Sequence, residues 1–148
     1  IRLRDDDVPA VLDIIGEGPD AVALATRAAP LGDDVTFHGA RSRDEIAAFL
    51  ARAHALVVPS RREGLGMVAL EALAVGCPVI ASATGGLIEL VGEGDGALVP
   101  PGDPAARAAA LRRLPFGPPR AVAVDRHRPA TVAADHLAVY QSLVKREG

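Results

Sequence analysis

The stretch ALVVPSRREGLGMVALEALAVGCPVIA, Ala55 to Ala81, decides how this chain folds. It opens on a short apolar run, Ala55-Leu56-Val57-Val58, closed by Pro59, and ends on a second, Pro78-Val79-Ile80-Ala81. Runs this brief and continuously apolar read as strands covered on both faces. Between them, about Gly66 to Val75 reads as a helix. Two strands joined through a helix make a βαβ unit with a parallel pair.

The alternation continues outward. AVLDIIG, Ala10 to Gly16, predicts a strand that ends in the turn Gly16-Glu17-Gly18-Pro19, with a helix from about Pro19 to Ala29. Val35 to His38 predicts a second strand. Ile46, Phe49, Leu50 and Ala53 recur at i, i+3, i+4 and i+7 behind Ser42 and Asp44, either of which can cap that helix. Beyond the central unit, Gly96 to Pro100 predicts a fifth strand, Asp103 caps a helix through Leu114, and Pro129 to about Lys145 is helical. The Pro/Gly/Arg-rich stretch Pro115 to Pro129 reads as a flexible connector. The expectation is an α/β domain with a Rossmann-like, doubly wound, mostly parallel sheet and helices on both faces. Ligands on such sheets sit outside the carboxyl ends of the strands, so the loops after Ile15, His38, Val58 and Ala81 matter most.

Composition bounds the function. The 148 residues suit one domain, and 49% apolar with 24% charged residues can build a core. A net charge of -3 argues against a nucleic-acid partner, whose phosphates call for a basic surface. A single cysteine, Cys77, excludes an internal disulfide framework and a Cys-based zinc site. Few aromatic residues, 3%, leave little for stacking on bases or carbohydrate. The opening IRLRDDD starts at Ile1 and lacks the apolar core of a signal peptide. No window reaches the roughly 18 apolar residues of a transmembrane helix. A soluble, cytoplasmic domain is expected, with the sequence a piece of something longer.

Two carboxylates carry the chemistry. Between Gly64 and Ala81 the only charged side chain is Glu71, in the middle of the apolar run Met67 to Val75. A helix that apolar is expected to be buried on most of its circumference. A carboxylate there needs donors, either an Arg from elsewhere or a pair of ligand hydroxyls such as a ribose diol. Glu63 lies in the preceding loop beside Gly64 and Gly66, where backbone N–H groups and a helix N-terminus can approach an anion such as a diphosphate.

Glu63 and Glu71 fall within P-S-x-x-E-G-x-G-x-x-x-L-E-A-x-A-x-G-x-P-V-I-A. This closely resembles the signature of retaining glycosyltransferases of family 4, the "group 1" transferases with the GT-B fold. Leu12 to Pro19 is similar to the family's strand and G-(D/E)-G-P turn, and Val35 to Gly39 to its V-x-F-x-G strand. Thr84-Gly85-Gly86-Leu87-Ile88-Glu89 is similar to its GG-x-x-E loop, and Gly96 to Asp103 fits as well. The resemblance implies the C-terminal, donor-binding half of a two-domain enzyme that binds a nucleotide-diphosphate sugar and transfers a hexosyl group. It implies that Glu63, the catalytic-site carboxylate, contacts sugar hydroxyls of the donor, and that Glu71 holds the ribose. Backbone groups at Gly64, Leu65, Gly66 and Met67 would approach the sugar and diphosphate. The loop around Arg41 would contact the base, and Gly16 would line the cleft. No metal and no other cofactor is implied, and residues 129–146 would form a helix that crosses to the N-terminal domain.

The departures are specific. The family's N-terminal acceptor domain and the K-G stretch that precedes this region have no counterpart here. Leu65 replaces the commoner Phe, and Arg61 and Arg62 occupy positions not usually basic, where they could replace part of the lost charge or simply be solvated.

The other candidates read as structural. His38 is expected at a strand end, as a satisfied imidazole or a ligand contact, and His54, His127 and His136 lack metal-ligand spacing. Asp5-Asp6-Asp7 lacks the glycine and glutamate of a calcium loop, Cys77 reads as packing, and Glu89 reads as capping or bracing its own loop, with a ligand contact the other reading. Two other functions stay open. One is an isolated nucleotide-sugar binding or interaction module without catalysis; the other is half of a nucleotide-sugar epimerase on the same fold.

Overall fold

The structure is a computed structural model and describes residues 10–113 and 128–144. Strands β1 (Leu12–Ile15), β2 (Val35–Gly39), β3 (Leu56–Val58), β4 (Val79–Ser82) and β5 (Gly96–Val99) alternate with helices α1 (Ala21–Ala28), α2 (Arg43–Arg52), α3 (Met67–Ala74), α4 (Leu87–Leu90) and α5 (Pro104–Arg113). Helix α6 (Pro129–Val144) closes the chain. Each expected strand and helix forms, with ends shifted by a residue or two. The expected helix ends at Leu114 and Lys145, the body of the connector, Asp5 to Asp7 and His127 lie outside the described residues. Helix α4 and a short 3-10 segment, Ala29–Asp34, were not expected. Both are too short to leave a helical period.

All strand pairs are parallel, as the βαβ reading requires. The sheet is in two pieces, however: β1 pairs with β2, and β3-β4-β5 form a separate three-stranded sheet. A doubly wound sheet grows in two directions from its middle. Here the two growing halves are present, and no described strand joins β1 to β3.

The core belongs to the larger piece. All four residues of β4 are buried, as expected for a strand covered on both faces. Val79 and Ala81 pack with Ala69, Ala72 and Leu73 of α3, Leu87 and Leu90 of α4, Val58 of β3 and Leu50 of α2. Each fully buried Val or Leu contributes about 1.5–3 kcal/mol. Neither β1 nor α1 contains a buried residue.

Local capping settles two sequence-level choices. Ser42, and not Asp44, caps α2: its side chain accepts from the Glu45 N–H, and Glu45 Oε2 accepts from the Ser42 N–H and hydroxyl at 2.8 Å each. The Ser42 N–H and then its hydroxyl hold the Glu45 carboxyl below its ordinary pKa. A depressed folded-state pKa adds stability above the unfolded value, and this is lost as pH falls through the folded one. Ser42→Ala should therefore lower the melting temperature at neutral pH and flatten its fall in acid. Melting curves across pH 2 to 7 (roughly the carboxylate range) test this, and identical acid limbs would exclude the box. Asp103 Oδ1 caps α5, accepting from the N–H groups of Ala105 and Ala106 at 2.9 Å.

Helix α6 leaves Val132, Leu137, Val139 and Tyr140 exposed. The side chains of Leu143 and Val144 lie outside the described residues. No helix among the described residues is long and apolar enough to cross a membrane.

Candidate functional site

The loop from Pro59 to Gly66 joins β3 to α3 and carries the first carboxylate. Glu63 is partly buried. Its Oε2 accepts from Ser60 Oγ at 3.0 Å, and its Oε1 from the Gly64 N–H at 3.1 Å. Gly64 is exposed, and a Cβ there would meet nothing within 4 Å. Leu65 and Met67 are exposed. Gly66 is buried at the α3 N-cap with φ 81°, and a Cβ there would lie 2.6 Å from Leu87 Cδ2. Its glycine answers first to this left-handed turn and to packing against α4.

Glu71 is partly buried on α3 and makes no hydrogen bond or ion pair with any described residue. Among the described residues there is thus no arginine partner for it. The expectation that α3 is buried nearly all round is corrected. Ala69, Ala72 and Leu73 are buried, whereas Met67 (55% exposed) and Val75 (41%) stand one turn to either side of Glu71 on the opposite face. The apolar composition serves two surfaces, one in the core and one open around a carboxylate. Leu65, Val68 and Ile88 are exposed as well.

The loop after β4 meets the Glu63 loop directly. The Gly86 N–H donates to the Gly64 carbonyl at 2.7 Å, and a Cβ on Gly85 would lie 1.9 Å from the Glu63 carbonyl oxygen. Sequence reasoning placed Gly85 and Gly86 in a motif without seeing this contact. Their adjacency in that motif was the signal.

The loops after β1 and β2 form a second pair. Gly16 (φ 126°) donates its N–H to the Gly39 carbonyl at 2.8 Å, and Glu17 Oε1 accepts from the Ala40 N–H at 3.3 Å. Arg41 is turned onto its own loop: Nη1 donates to the Ala40 carbonyl at 2.8 Å, and Nε lies 3.7 Å from Glu45 Oε1. Both polar groups of Ala40 are thereby occupied, and the Arg41 side chain remains exposed. His38 bonds through Nε2 to Asp13 Oδ1 at 2.6 Å and packs on Phe49 with ring centroids 4.6 Å apart. It is a satisfied imidazole.

Arg61 and Arg62 are exposed beside Glu63 and pair with no described residue. Cys77 is buried, which pushes its thiol pKa up, in keeping with packing. Among the described residues no three His, Cys, Asp or Glu side chains are grouped to hold a metal ion.

Parallel strands, glycine-lined loops at their carboxyl ends and a carboxylate pair at this spacing define a class. Residues 1–115 match the family of glycosyl transferases group 1, and the chain belongs to that family. Among its relatives, the D-inositol 3-phosphate glycosyltransferase of Kineococcus radiotolerans is 41% identical over 72% of this chain and 26% of its own length. The MMP alpha-(1->4)-mannosyltransferase of Mycolicibacterium hassiacum is 34% identical over 97% of this chain and 37% of its own. The solved lipopolysaccharide outer core galactosyltransferase WaaB, in its apo form, superposes with a TM-score of 0.77 over 89% of this chain and 40% of its own, at 24% identity. Sucrose-phosphate synthase from Thermosynechococcus elongatus gives 0.64 over 92% and 38%, at 32% identity. The chain therefore spans two fifths or less of each of these proteins.

Proposed function

We propose that this chain is the donor-binding, C-terminal part of a retaining glycosyltransferase. It binds a nucleotide-diphosphate sugar whose hexosyl group passes to an acceptor held by another domain. The observation that carries this reading is Glu71, a partly buried carboxylate with no described partner on an otherwise apolar helix. A carboxylate kept in that setting, with no donor among the described residues, is suited to accept hydrogen bonds from a ligand. In this reading Glu71 accepts the two ribose hydroxyls, and Glu63 faces the sugar. Backbone at Gly64, Leu65, Gly66 and Met67 lies along the diphosphate, the Arg41 loop meets the base, and Gly16 lines the cleft. The exposed apolar side chains around Glu71 form one wall of a cleft whose other wall is the acceptor domain, onto which α6 also docks. The names of the relatives support sugar transfer, and their greater length supports the second domain.

Catalysis would rest on holding the donor and on stabilising charge as the diphosphate departs. The reading requires no metal and no nucleic acid, and it places the protein in the cytoplasm. The chain by itself is expected to transfer no sugar, because one wall cannot form the cleft. Turnover of UDP-glucose or GDP-mannose by the purified 148-residue chain would overturn that expectation.

Calorimetric titration with UDP, GDP, UDP-glucose and GDP-mannose tests the site. Glu63→Gln should weaken whichever nucleotide-sugar binds by about 10-fold, the value of one charge-assisted hydrogen bond. It should leave the matching nucleoside diphosphate nearly unchanged. Equal losses for both ligands would move Glu63 away from the sugar.

A further inference from the structure

A glutamate in an exposed loop ordinarily samples many rotamers and gives up that freedom when it binds. Glu63 is already held. Ser60 Oγ bonds Oε2 at 3.0 Å and the Gly64 N–H bonds Oε1 at 3.1 Å, so each carboxylate oxygen has one fixed donor. An ionised carboxylate has about four lone-pair directions, so one remains free on each oxygen. That is the acceptor pattern needed by two neighbouring hydroxyls.

The backbone beneath the carboxylate is held from the other side. The Gly86 N–H donates to the Gly64 carbonyl at 2.7 Å. Gly85, at φ +52°, approaches so closely that a Cβ would fall 1.9 Å from the Glu63 carbonyl oxygen. A Cβ on Gly86 would lie 2.8 Å from both the Gly64 oxygen and Leu65 Cα. These contacts are with backbone, which cannot swing aside as the tip of a side chain can. The absence of side chains at both positions lets the two loops meet at the backbone that carries Glu63.

We propose that Ser60 and the Gly85-Gly86 turn are positioning residues, a two-loop clamp that fixes Glu63 with its two free lone pairs aimed at a vicinal diol of the donor sugar. The proposal deepens the reading of Glu63 as the sugar-contacting carboxylate and rests on it. Neither Ser60 nor the glycines touch the donor in this scheme. They act by removing the ordering that Glu63 would otherwise undergo on binding.

The test uses the 148-residue chain with Ser60→Ala, Ser60→Thr, Gly86→Ala and Glu63→Gln. Amide hydrogen exchange is measured without ligand, and calorimetry uses UDP and GDP against UDP-glucose and GDP-mannose. Ser60→Ala should speed exchange at the Gly64 amide and weaken the nucleotide-sugar about 3- to 10-fold, the cost of ordering one freed side chain. The nucleoside diphosphate should bind as before. Ser60→Thr keeps the hydroxyl and should restore both readouts. Gly86→Ala should speed exchange at both Gly64 and residue 86; if it fails to fold, the Ser60 pair still decides. A Gly64 amide indifferent to Ser60→Ala overturns the clamp whether or not any ligand binds. So does an unchanged nucleotide-sugar affinity in Ser60→Ala where Glu63→Gln lowers it. If the exchange results hold but Glu63→Gln binds the nucleotide-sugar normally, the donor-sugar role of Glu63 fails and the aim assigned to the clamp fails with it.

Discussion

Replacing Glu71 by Gln is expected to lower affinity for the nucleoside diphosphate, and equally for its sugar conjugate, by about 10- to 100-fold. The estimate follows from charge-assisted hydrogen bonds worth roughly 1.5–3 kcal/mol. Gln keeps the shape and one acceptor oxygen but loses the charge, and it turns an N–H₂ group toward hydroxyls that had been donating. No described residue uses the Glu71 carboxylate, so the substitution breaks no described contact. The melting temperature of Glu71→Gln should therefore equal that of the unmodified chain while binding falls. Thermal melts run beside the titrations separate this from unfolding. Undiminished affinity, or binding lost together with stability, would remove Glu71 from the ligand site.

The largest effect on stability is expected at Gly96. This residue begins β5 with φ +152° and pairs with Val79 of β4. A Cβ there would fall 1.8 Å from the Val79 carbonyl oxygen and 2.6 Å from its carbonyl carbon. β4 cannot retreat, because all four of its residues are packed in the core. Gly96→Ala must therefore break the β4–β5 ladder or displace the central strand. A loss above about 4 kcal/mol is expected, in the exceptional tail of single substitutions and comparable to the whole stability of many domains. Gly94→Ala is the control: it shares a positive φ of 91° but has open space around the added carbon. Its cost should stay near the 1–2 kcal/mol (about the left-handed penalty for a side chain). Urea unfolding of both variants measures the difference. Equal midpoints would mean that Gly96 is not where β5 meets β4.

What the sequence revealed, and what it hid, follows from the range of each interaction. The unit from Ala55 to Ala81 was legible because its strands are continuous apolar runs, and because Pro59 and Pro78 mark their limits. The capping of α2 was half legible: Ser42 precedes Glu45 by three, the capping-box spacing, yet Asp44 offered the same chemistry. The freedom of Glu71 was hidden, since an ion pair depends on what the fold brings alongside. So was the open face of α3, because residues that line a core and residues that line a cleft are equally apolar. The contact between the Gly85-Gly86 turn and the Glu63 loop joins positions more than twenty residues apart through backbone alone. No side-chain pattern records it. Family membership was legible from ordered motifs, and residues 1–115 match the family.

The division of the sheet has a consequence for handling the protein. One five-stranded sheet would have two edge strands; among the described residues two sheets have four, β1, β2, β3 and β5. On β3, Leu56 donates its N–H to the Pro78 carbonyl, which turns the amide and carbonyl of Val57 away from β4 toward the open side. Edge groups with no partner among the described residues can recruit strands from other molecules. The brevity of β3, three residues closed by Pro59, restricts how far such pairing can zip. Association between copies of this chain should thus grow with concentration and reverse on dilution, a behaviour of colloids rather than of fibres.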